Sequence, residues 1–164
     1  MASGDVLCWL HPYGSEPPSA AYATQDTRNG HPVLDFQDTT DEAAVWTAYL
    51  PANYAGGGLT VIVEWAATTA TTGVTRWDVS IERIDASSLD IDADSFASAQ
   101  SVDGTAPGTS GQVLYSSVGF TSGAQMDSLA AGELFRLKLS RDANHANDTM
   151  AGDAEVLGVT IKET

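Results

Sequence analysis

Apolar and polar residues alternate most regularly near the end of the sequence, between Gly132 and Thr164. The runs FRLKLS (135–140) and LGVTIK (157–162) each place an apolar residue at every second position. A period of two is typical of β-strands with one buried and one solvated face. The polar connection RDANHANDTMAGD predicts that the two strands form a β-hairpin with a long loop. A hairpin cannot bury its apolar face alone, so the rest of the chain must supply a covering sheet.

Similar patterns predict further strands earlier in the chain. They are HPVLDF (31–36), AAVWTAYL (43–50), LTVIVEWA (59–66), VTRWDVSIERI (74–84) and QVLYSSVGFT (112–121). The two runs that contain Trp65 and Trp77 are predicted to pair as neighbours, with both indoles on the apolar face. Residues 85–111 show only turn signals and a single helical turn at 94–99.

The first 30 residues lack regular alternation. One edge strand is predicted at 6–10, and Pro17-Pro18 favours an extended backbone. We therefore expect an extended N-terminal arm at 1–30 that folding does not require, followed by a β-sandwich domain at 31–164.

About eight strands and no long helix predict an all-β fold, a two-sheet antiparallel sandwich. The long crossings at 85–111 and 121–132 favour jelly-roll connectivity over an immunoglobulin-like one. No repeat of the length found in solenoids or propellers occurs. The sequence leaves the strand order open.

Composition narrows the possible functions. The 164 residues carry a net charge of −15, from 22 acidic and 7 basic side chains, which argues against nucleic-acid binding. Cys8 is the only cysteine, so no intrachain disulfide is expected. The sequence shows neither a signal peptide nor a long apolar run, which predicts a soluble protein made in a cytoplasm with no membrane partner.

Two acidic segments carry oxygen ligands of the kind that calcium prefers. In DIDADS, carboxylates alternate as at the start of a calcium loop, but Ser95 and Ser101 stand where that loop needs Gly and Glu. The second segment contains Asp142, Asn144, Asn147, Asp148 and Asp153. Turns require the same residue types, so solvated turns, no metal and no cofactor are predicted.

No catalytic motif is visible. The three histidines, His11, His31 and His145, lie in no recognisable catalytic context, and neither GxSxG nor HExxH occurs. A pair of glycosidase carboxylates is always conceivable among 22 acids, but nothing singles out such a pair. We predict that the protein is not an enzyme.

Aromatic residues suggest contact surfaces. Trp46 lies out of phase with Val45, which makes it a candidate surface contact. Trp9, Tyr13 and Tyr22 stand on the arm without periodicity, so we predict that they bind another protein. The alternative is that they cover one open end of the domain's own core.

Five segments together resemble β-sandwich virion proteins of tailed bacteriophages and prophages. They are HPVLDFQDTTDEAAVW, NYAGGGLTVIVEW, RWDVSIERI, DADSF and AAGELFRLKLSRDANHANDTMAGDAEVLGVTIKE, which span about residues 31–164. The closest role in that group is the capsid decoration, or cement, protein. The resemblance implies a jelly-roll body, self-associated as a homotrimer, that binds the major capsid protein on the capsid exterior.

Two functions follow from the sequence. The first is a structural virion protein, made in the host cytoplasm, that stabilises a phage capsid through capsomer and self contacts. The second is a carbohydrate- or receptor-binding β-sandwich module of a phage tail fibre or baseplate, which needs an exposed aromatic platform or a metal in one loop.

Overall fold

The computed structural model describes residues 2–164, which form ten β-strands and two short 3-10 turns. The strands are β1 (Val6–Leu10), β2 (Thr24–Arg28), β3 (His31–Phe36), β4 (Glu42–Tyr49), β5 (Leu59–Ala66), β6 (Val74–Ile84), β7 (Gln100–Thr105), β8 (Leu114–Phe120), β9 (Leu134–Arg141) and β10 (Ala154–Glu163). The 3-10 turns are Pro12–Gly14 and Ala124–Met126. Within residues 2–164 there is no α-helix, and no helix has the length and apolar character of a membrane span.

The strands form two antiparallel sheets. The six-stranded sheet has the order β2-β3-β10-β5-β8, and β1 pairs with the second half of β10 on the edge whose first half pairs with β3. The four-stranded sheet has the order β4-β9-β6-β7. The all-β, jelly-roll-like sandwich predicted from the sequence is confirmed.

The core lies between the two sheets and is rich in aromatic rings. The indoles of Trp65 and Trp77 meet edge to face with ring centroids 5.9 Å apart, and Phe36 meets Trp77 at 5.3 Å. Gly104 on β7 leaves room for Trp65, because a Cβ there would lie 2.8 Å from the indole. Both indoles point inward as predicted, and so do Leu137 and Val159 on the last two strands.

The last two strands do not form the predicted hairpin. β9 belongs to the four-stranded sheet and β10 to the six-stranded sheet, so residues 142–153 cross from one sheet to the other. The alternating pattern correctly identified the buried face of each strand. A period of two carries no information about which strand lies alongside, and that is why the pairing was wrong.

Arg141, at the end of β9, explains how this crossing is held. Its side chain is fully buried, and its Nε and Nη2 donate to the Asp148 carboxylate at 3.0 and 2.8 Å. The same guanidinium donates to the carbonyls of Phe36, Met150 and Gly152. Its charge and its donors are thus satisfied by the connection that it anchors.

The two tryptophan-containing strands also do not pair. β5 lies in the six-stranded sheet and β6 in the four-stranded sheet, and their indoles meet across the core. The loop between them therefore connects the two sheets. Their shared apolar phase reflects a common core and not a common sheet.

The predicted arm is largely part of the sandwich. β1 pairs with β10, and β2 pairs with β3 through a turn at Asn29 and Gly30, whose φ values are +48° and +80°. Positive φ at both central residues is typical of a two-residue hairpin turn. The predicted domain boundary at residue 30 is therefore wrong, because it falls inside this hairpin.

Two strands were absent from the sequence-based prediction, and the helical turn at 94–99 does not form. β2 (TQDTR) and β7 (QSVDGT) are mostly polar and lie at sheet edges. An edge strand can form ladder hydrogen bonds without a regular apolar face, so periodicity does not detect it.

Candidate functional site

The candidate site lies on the outer face of the six-stranded sheet, where β10 contains a bulge. The register with β5 shifts between Val156 and Gly158, so Leu157 and Gly158 both face outward. The ring of Trp9, from β1, lies over Gly158. A Cβ at that position would be 2.6 Å from the indole Nε1, so glycine is required for the ring to lie there.

Trp9 is held by hydrogen bonds while half of its surface remains exposed. Its indole N–H donates to Oε2 of Glu64 on β5 at 2.9 Å. The other oxygen of Glu64 accepts from the Thr160 hydroxyl at 2.6 Å. Trp9 is 50% exposed, so a large aromatic surface is presented in one fixed orientation.

His11 and Tyr13 continue the aromatic surface beyond Trp9. The Trp9 and His11 ring centroids are 5.4 Å apart, and those of His11 and Tyr13 are 5.7 Å apart. The Tyr13 hydroxyl donates to the Asp26 carbonyl at 2.7 Å, and the Tyr13 N–H donates to His11 Nδ1 at 3.1 Å. We call Trp9, His11 and Tyr13 the aromatic strip.

The aromatic strip borders a small pocket. This pocket of about 250 Å³ is lined by Trp9, His11, His31, Pro32, Glu64 and Leu157, and we call it the Trp9 pocket. It combines an aromatic wall, a carboxylate acceptor and two imidazoles. Such a mixture of apolar surface with a few oriented polar groups is typical of sites for small ligands.

A second pocket adjoins the first through His31 and Leu157, which line both. It measures about 420 Å³, and we call it the Val113 pocket. Its apolar walls are Val33, Ala66, Val113 and Leu157, and its polar lining is Arg28, Asn29, His31, Thr68, Gly111 and Glu155. The two pockets are therefore adjacent on the outer face of the sheet.

The charged groups at the Val113 pocket are already paired with one another. Arg28 Nε lies 2.8 Å from Glu155 Oε1, which also accepts from the Thr68 hydroxyl. Asp35 is the cross-strand neighbour of Glu155, and its Oδ2 lies 3.8 Å from Arg28 Nη2. Burial raises the pKa of Asp35 to about 6, with Arg28 opposing the rise and the charges of Glu155 and nearby aspartates adding to it.

Tyr115, on β8, adds a second exposed ring to the same face. It pairs with Glu64 in the β5–β8 register and is 70% exposed. The Trp9 ring lies over β10 on the other side of β5, so the two rings are about two strand spacings, or roughly 10 Å, apart. Sequence reasoning overlooked Tyr115, although its position out of phase with Val118 and Phe120 was a usable signal.

The structure places the four predicted contact residues in different environments. Trp9 and Tyr13 come together in the aromatic strip. Tyr22 is 51% exposed but lines a separate pocket of about 440 Å³ beside β4. Whether Trp9, Tyr13 or Tyr22 binds a protein stays a prediction.

Trp46 is the exception, because it is not at the surface. It is 2% exposed, points into the core and donates its indole N–H to the His11 carbonyl at 2.8 Å. Trp46 and Val45 point to opposite faces of β4, as predicted, but both side chains are buried. Backbone hydrogen bonds join Val45 to Glu16, so the chain before β2 lies along the edge of β4. The register of Trp46 with Leu137 of β9 places the indole on the inner face of the sheet. The prediction of a surface contact at Trp46 is wrong.

The acidic segments show local hydrogen bonding. Asp92 N–H donates to Asp90 Oδ1, as in an Asx turn, and Asp90 N–H donates to Asp94 Oδ2. In the second segment Asp148 is engaged by Arg141. Over residues 2–164, no group of three or more His, Cys, Asp or Glu side chains is arranged to hold a metal ion.

The histidines divide between two regions. His11 and His31 line the Trp9 pocket, whereas His145 lies in the 142–153 crossing and accepts at Nδ1 from the Asn147 N–H. Because His11 Nδ1 accepts from Tyr13, the neutral imidazole carries its proton on Nε2, where it can donate to a ligand.

Comparison with known proteins gives similarity in structure only. No family model matches the chain, and no curated protein matches it in sequence. Among solved structures, the CBM35 carbohydrate-binding module of Cellvibrio japonicus Abf62 is similar with a TM-score of 0.57 and 10% identity, over 96% of this chain and 94% of that one. These values show a shared fold.

Two further similar structures contain bound sugars. CsCBM6-3 from Clostridium stercorarium, in complex with cellobiose, has a TM-score of 0.55 and 8% identity over 96% of this chain and 95% of that one. The family 11 carbohydrate-binding module from Clostridium thermocellum, in complex with a β-1,3-1,4-mixed-linked tetrasaccharide, has a TM-score of 0.51 and 12% identity. The match covers 100% of this chain and 98% of that one. The fold of this chain is thus one that carbohydrate-binding modules also adopt.

Proposed function

We propose that this protein is a carbohydrate-binding module that holds a glycan in the Trp9 pocket and across the sheet towards Tyr115. The observation that carries the proposal is the fixed, half-exposed indole of Trp9 beside the Glu64 carboxylate. The similar structures in complex with cellobiose and with a mixed-linked tetrasaccharide support this class of ligand.

The site can contact both the apolar face and the polar edge of a sugar ring. The C–H groups on one face of a pyranose form an apolar surface, which can pack on the Trp9 indole and remove both surfaces from water. The hydroxyl groups at the ring edge can donate to Glu64 and accept from the imidazole N–H of His11. Because Trp9 is already held in place, little conformational entropy is lost on binding.

Tyr115 extends the site for a longer chain. Its ring and that of Trp9 flank Glu64, so an oligosaccharide lying across the strands contacts both rings with different sugar units. The net charge of −15 disfavours polyanionic glycans. The ligands to test first are therefore neutral β-linked glucans.

The test compares two equally exposed aromatic residues. Trp9 and Tyr22 are 50% and 51% exposed, but only Trp9 lines the Trp9 pocket. Calorimetric titration with cello-oligosaccharides and mixed-linked β-glucan should show that Trp9→Ala weakens binding about 30-fold, the loss expected for a central aromatic contact worth ~2 kcal/mol. Tyr22→Ala should bind as the parent does.

Two outcomes would count against the glycan site. One is unchanged affinity in Trp9→Ala, and the other is an equal loss in Tyr22→Ala. Circular dichroism of both variants checks that each has kept its fold. The same incubations, assayed for reducing ends, test the prediction that no hydrolysis accompanies binding.

The virion interpretation stays a prediction, and the similar structures named above give it no support. In that role Trp9, Tyr13 and Tyr22 would bind the major capsid protein or a sister subunit of a homotrimer. Cosedimentation with undecorated capsids and light scattering of the free protein test it directly. Capsid binding that Trp9→Ala abolishes, together with no glycan binding, would favour that role over ours.

A further inference from the structure

The Val113 pocket has a composition that the proposed stacking site does not use. We infer that it receives an acetyl substituent of the glycan whose sugar ring lies in the Trp9 pocket, so that the ligand is an acetylated glycan. This inference rests on the proposed function and specifies its substrate class. It concerns the acetyl group itself, whether borne by an amide nitrogen or by an ester oxygen.

Position is the first argument. His31 and Leu157 line both pockets, so a short substituent on a sugar in the Trp9 pocket can extend past these two side chains into the Val113 pocket. The bulge at Leu157 and Gly158 creates this junction, because it turns two consecutive side-chain positions outward. The same irregularity thus seats Trp9 and forms the wall that separates the two pockets.

The walls are the second argument. Val33 and Ala66 are buried at the floor of the Val113 pocket, whereas Val113 is 43% exposed and stands at its rim. These apolar side chains can pack against a methyl group. An unsubstituted hydroxyl group would leave these apolar side chains in contact with water.

Charge is the third argument, and it excludes the alternatives. Arg28, the cation at this pocket, is already paired with Glu155 and lies near Asp35. A carboxylate, sulfate or phosphate would meet these acids and gain no free cation. An ammonium group would be attracted by the acids, but it would lose hydration against the valine and alanine walls. An uncharged substituent with an apolar end fits best.

The expected gain follows from the area that one methyl group buries. Burial of a single methyl contributes ~0.8 kcal/mol, which corresponds to an affinity about fourfold higher than that of the unsubstituted sugar. The carbonyl group of the substituent, and the nitrogen or oxygen that links it to the sugar, can be contacted by His31, which lines both pockets, and by Asn29 in the Val113 pocket.

The experiment uses ligands matched in linkage and length. β-1,4-linked oligosaccharides that carry a hydroxyl, an acetamido or an ammonium group at the same carbon are cello-, chitin- and chitosan-type oligomers. Acetylated xylo-oligosaccharides and their alkali-deacetylated forms make the second arm, which separates O-acetyl from N-acetyl groups. Titrations of the full chain should show at least fourfold tighter binding of the acetylated member in one arm.

Variants locate the effect. Val113→Thr keeps the shape of the side chain but adds a hydroxyl, so it should reduce the preference for the acetylated ligand while leaving the unsubstituted ligand unchanged. Trp9→Ala should weaken all ligands alike. Val113 is partly exposed at the rim, so the substitution is not expected to disturb folding.

The outcomes separate this inference from the proposed function. Equal affinity for acetylated and unsubstituted oligomers would overturn the inference and leave the glycan site standing. Tighter binding of the chitosan-type oligomer would also overturn it, and would show that the carboxylates select the ligand. Absence of binding to every oligomer would overturn the proposed function and this inference with it. A preference that survives Val113→Thr would place the acetyl group elsewhere.

Discussion

Trp9 keeps half of its surface in solvent because residues on two other strands hold it there. Glu64 binds its indole N–H, and Gly158 leaves the space that its ring occupies. Neither residue would be selected as functional from its own sequence neighbourhood. The exposed position of the Trp9 ring therefore depends on the absence of a side chain at Gly158 as well as on the Glu64 carboxylate.

A substitution at Gly158 tests this dependence. In Gly158→Ala the new Cβ would lie 2.6 Å from Trp9 Nε1, so the indole must move and lose its hydrogen bond to Glu64. We expect glycan affinity to fall roughly tenfold, equivalent to one lost contact of ~1.4 kcal/mol, while the fold is kept. Titration calorimetry measures the affinity, and circular dichroism monitors the fold.

Gly119 provides the matched control. It lies on β8 of the same sheet, and a Cβ added there meets nothing within 4 Å. Gly119→Ala should bind glycan as the parent does. If Gly158→Ala also behaves like the parent, the indole position does not determine binding.

At the level of elements, the N-terminal segment is a structural part of the sandwich. β1 completes one edge of β10, and the segment before β2 pairs with Val45 along the edge of β4. Pro12 and Leu10 are buried, so this segment closes apolar surface as well as carrying the aromatic strip.

Truncation at Gly30 should therefore prevent stable folding. It removes β1, β2 and the chain that covers β4, which exposes a core edge and unpaired backbone groups of β10. A chain that starts at Asp5 keeps both strands and should unfold cooperatively. Thermal melts followed by circular dichroism compare the two. A cooperative transition in the shorter chain would mean that the segment is dispensable, as the sequence alone suggested.

The strands divide clearly into those that periodicity detects and those that it does not. β3, β5, β6, β9 and β10 were predicted because their buried face is apolar at every second position. β2 and β7 are edge strands with mostly polar residues, and they form because β3 and β6 offer them free backbone groups. Whether β2 and β7 form therefore depends on β3 and β6, and not on apolar periodicity in their own sequences.

At the scale of the whole molecule, the pH dependence of stability reflects the excess of acidic over basic side chains. Eight of the 22 acidic side chains are exposed and most of the others are half-buried. Among these, Asp35 lies beside Glu155, and burial raises its pKa from 3.8 to about 6. A carboxyl whose pKa is raised by folding favours the native state while it is protonated. This contribution is complete below about pH 4 and is lost as the pH rises past about 6.

The pH dependence of unfolding tests this assignment. The native state should lose, at most, on the order of 3 kcal/mol from Asp35 between these two pH values, and Asp35→Asn should remove that loss. Urea unfolding at pH 4.5 and 7.5 gives the free energy for both proteins, and only their difference is used, because other acids also titrate. Parallel pH profiles would show that Asp35 is not the group responsible.

The sequence by itself determined the fold class and the buried face of the long strands other than β4, because a period of two reports burial directly. It also showed that Trp9 and Tyr13 stand apart from the core pattern, and that the charge opposes polyanionic partners. It did not determine which strands pair. Side-chain alternation is the same whether the next strand joins the same sheet or the opposite one, as β5, β6, β9 and β10 demonstrate.

Only the tertiary structure decided where the candidate site lies. Trp9, Glu64 and Tyr115 are far apart in sequence and meet because β1, β10, β5 and β8 lie side by side. Trp46 became a core residue because its register with Leu137 of β9 places it on the inner face of the four-stranded sheet. Binding surfaces on a sheet are assembled from single residues of several strands, and strand order is set by packing of the whole core, which no local pattern encodes.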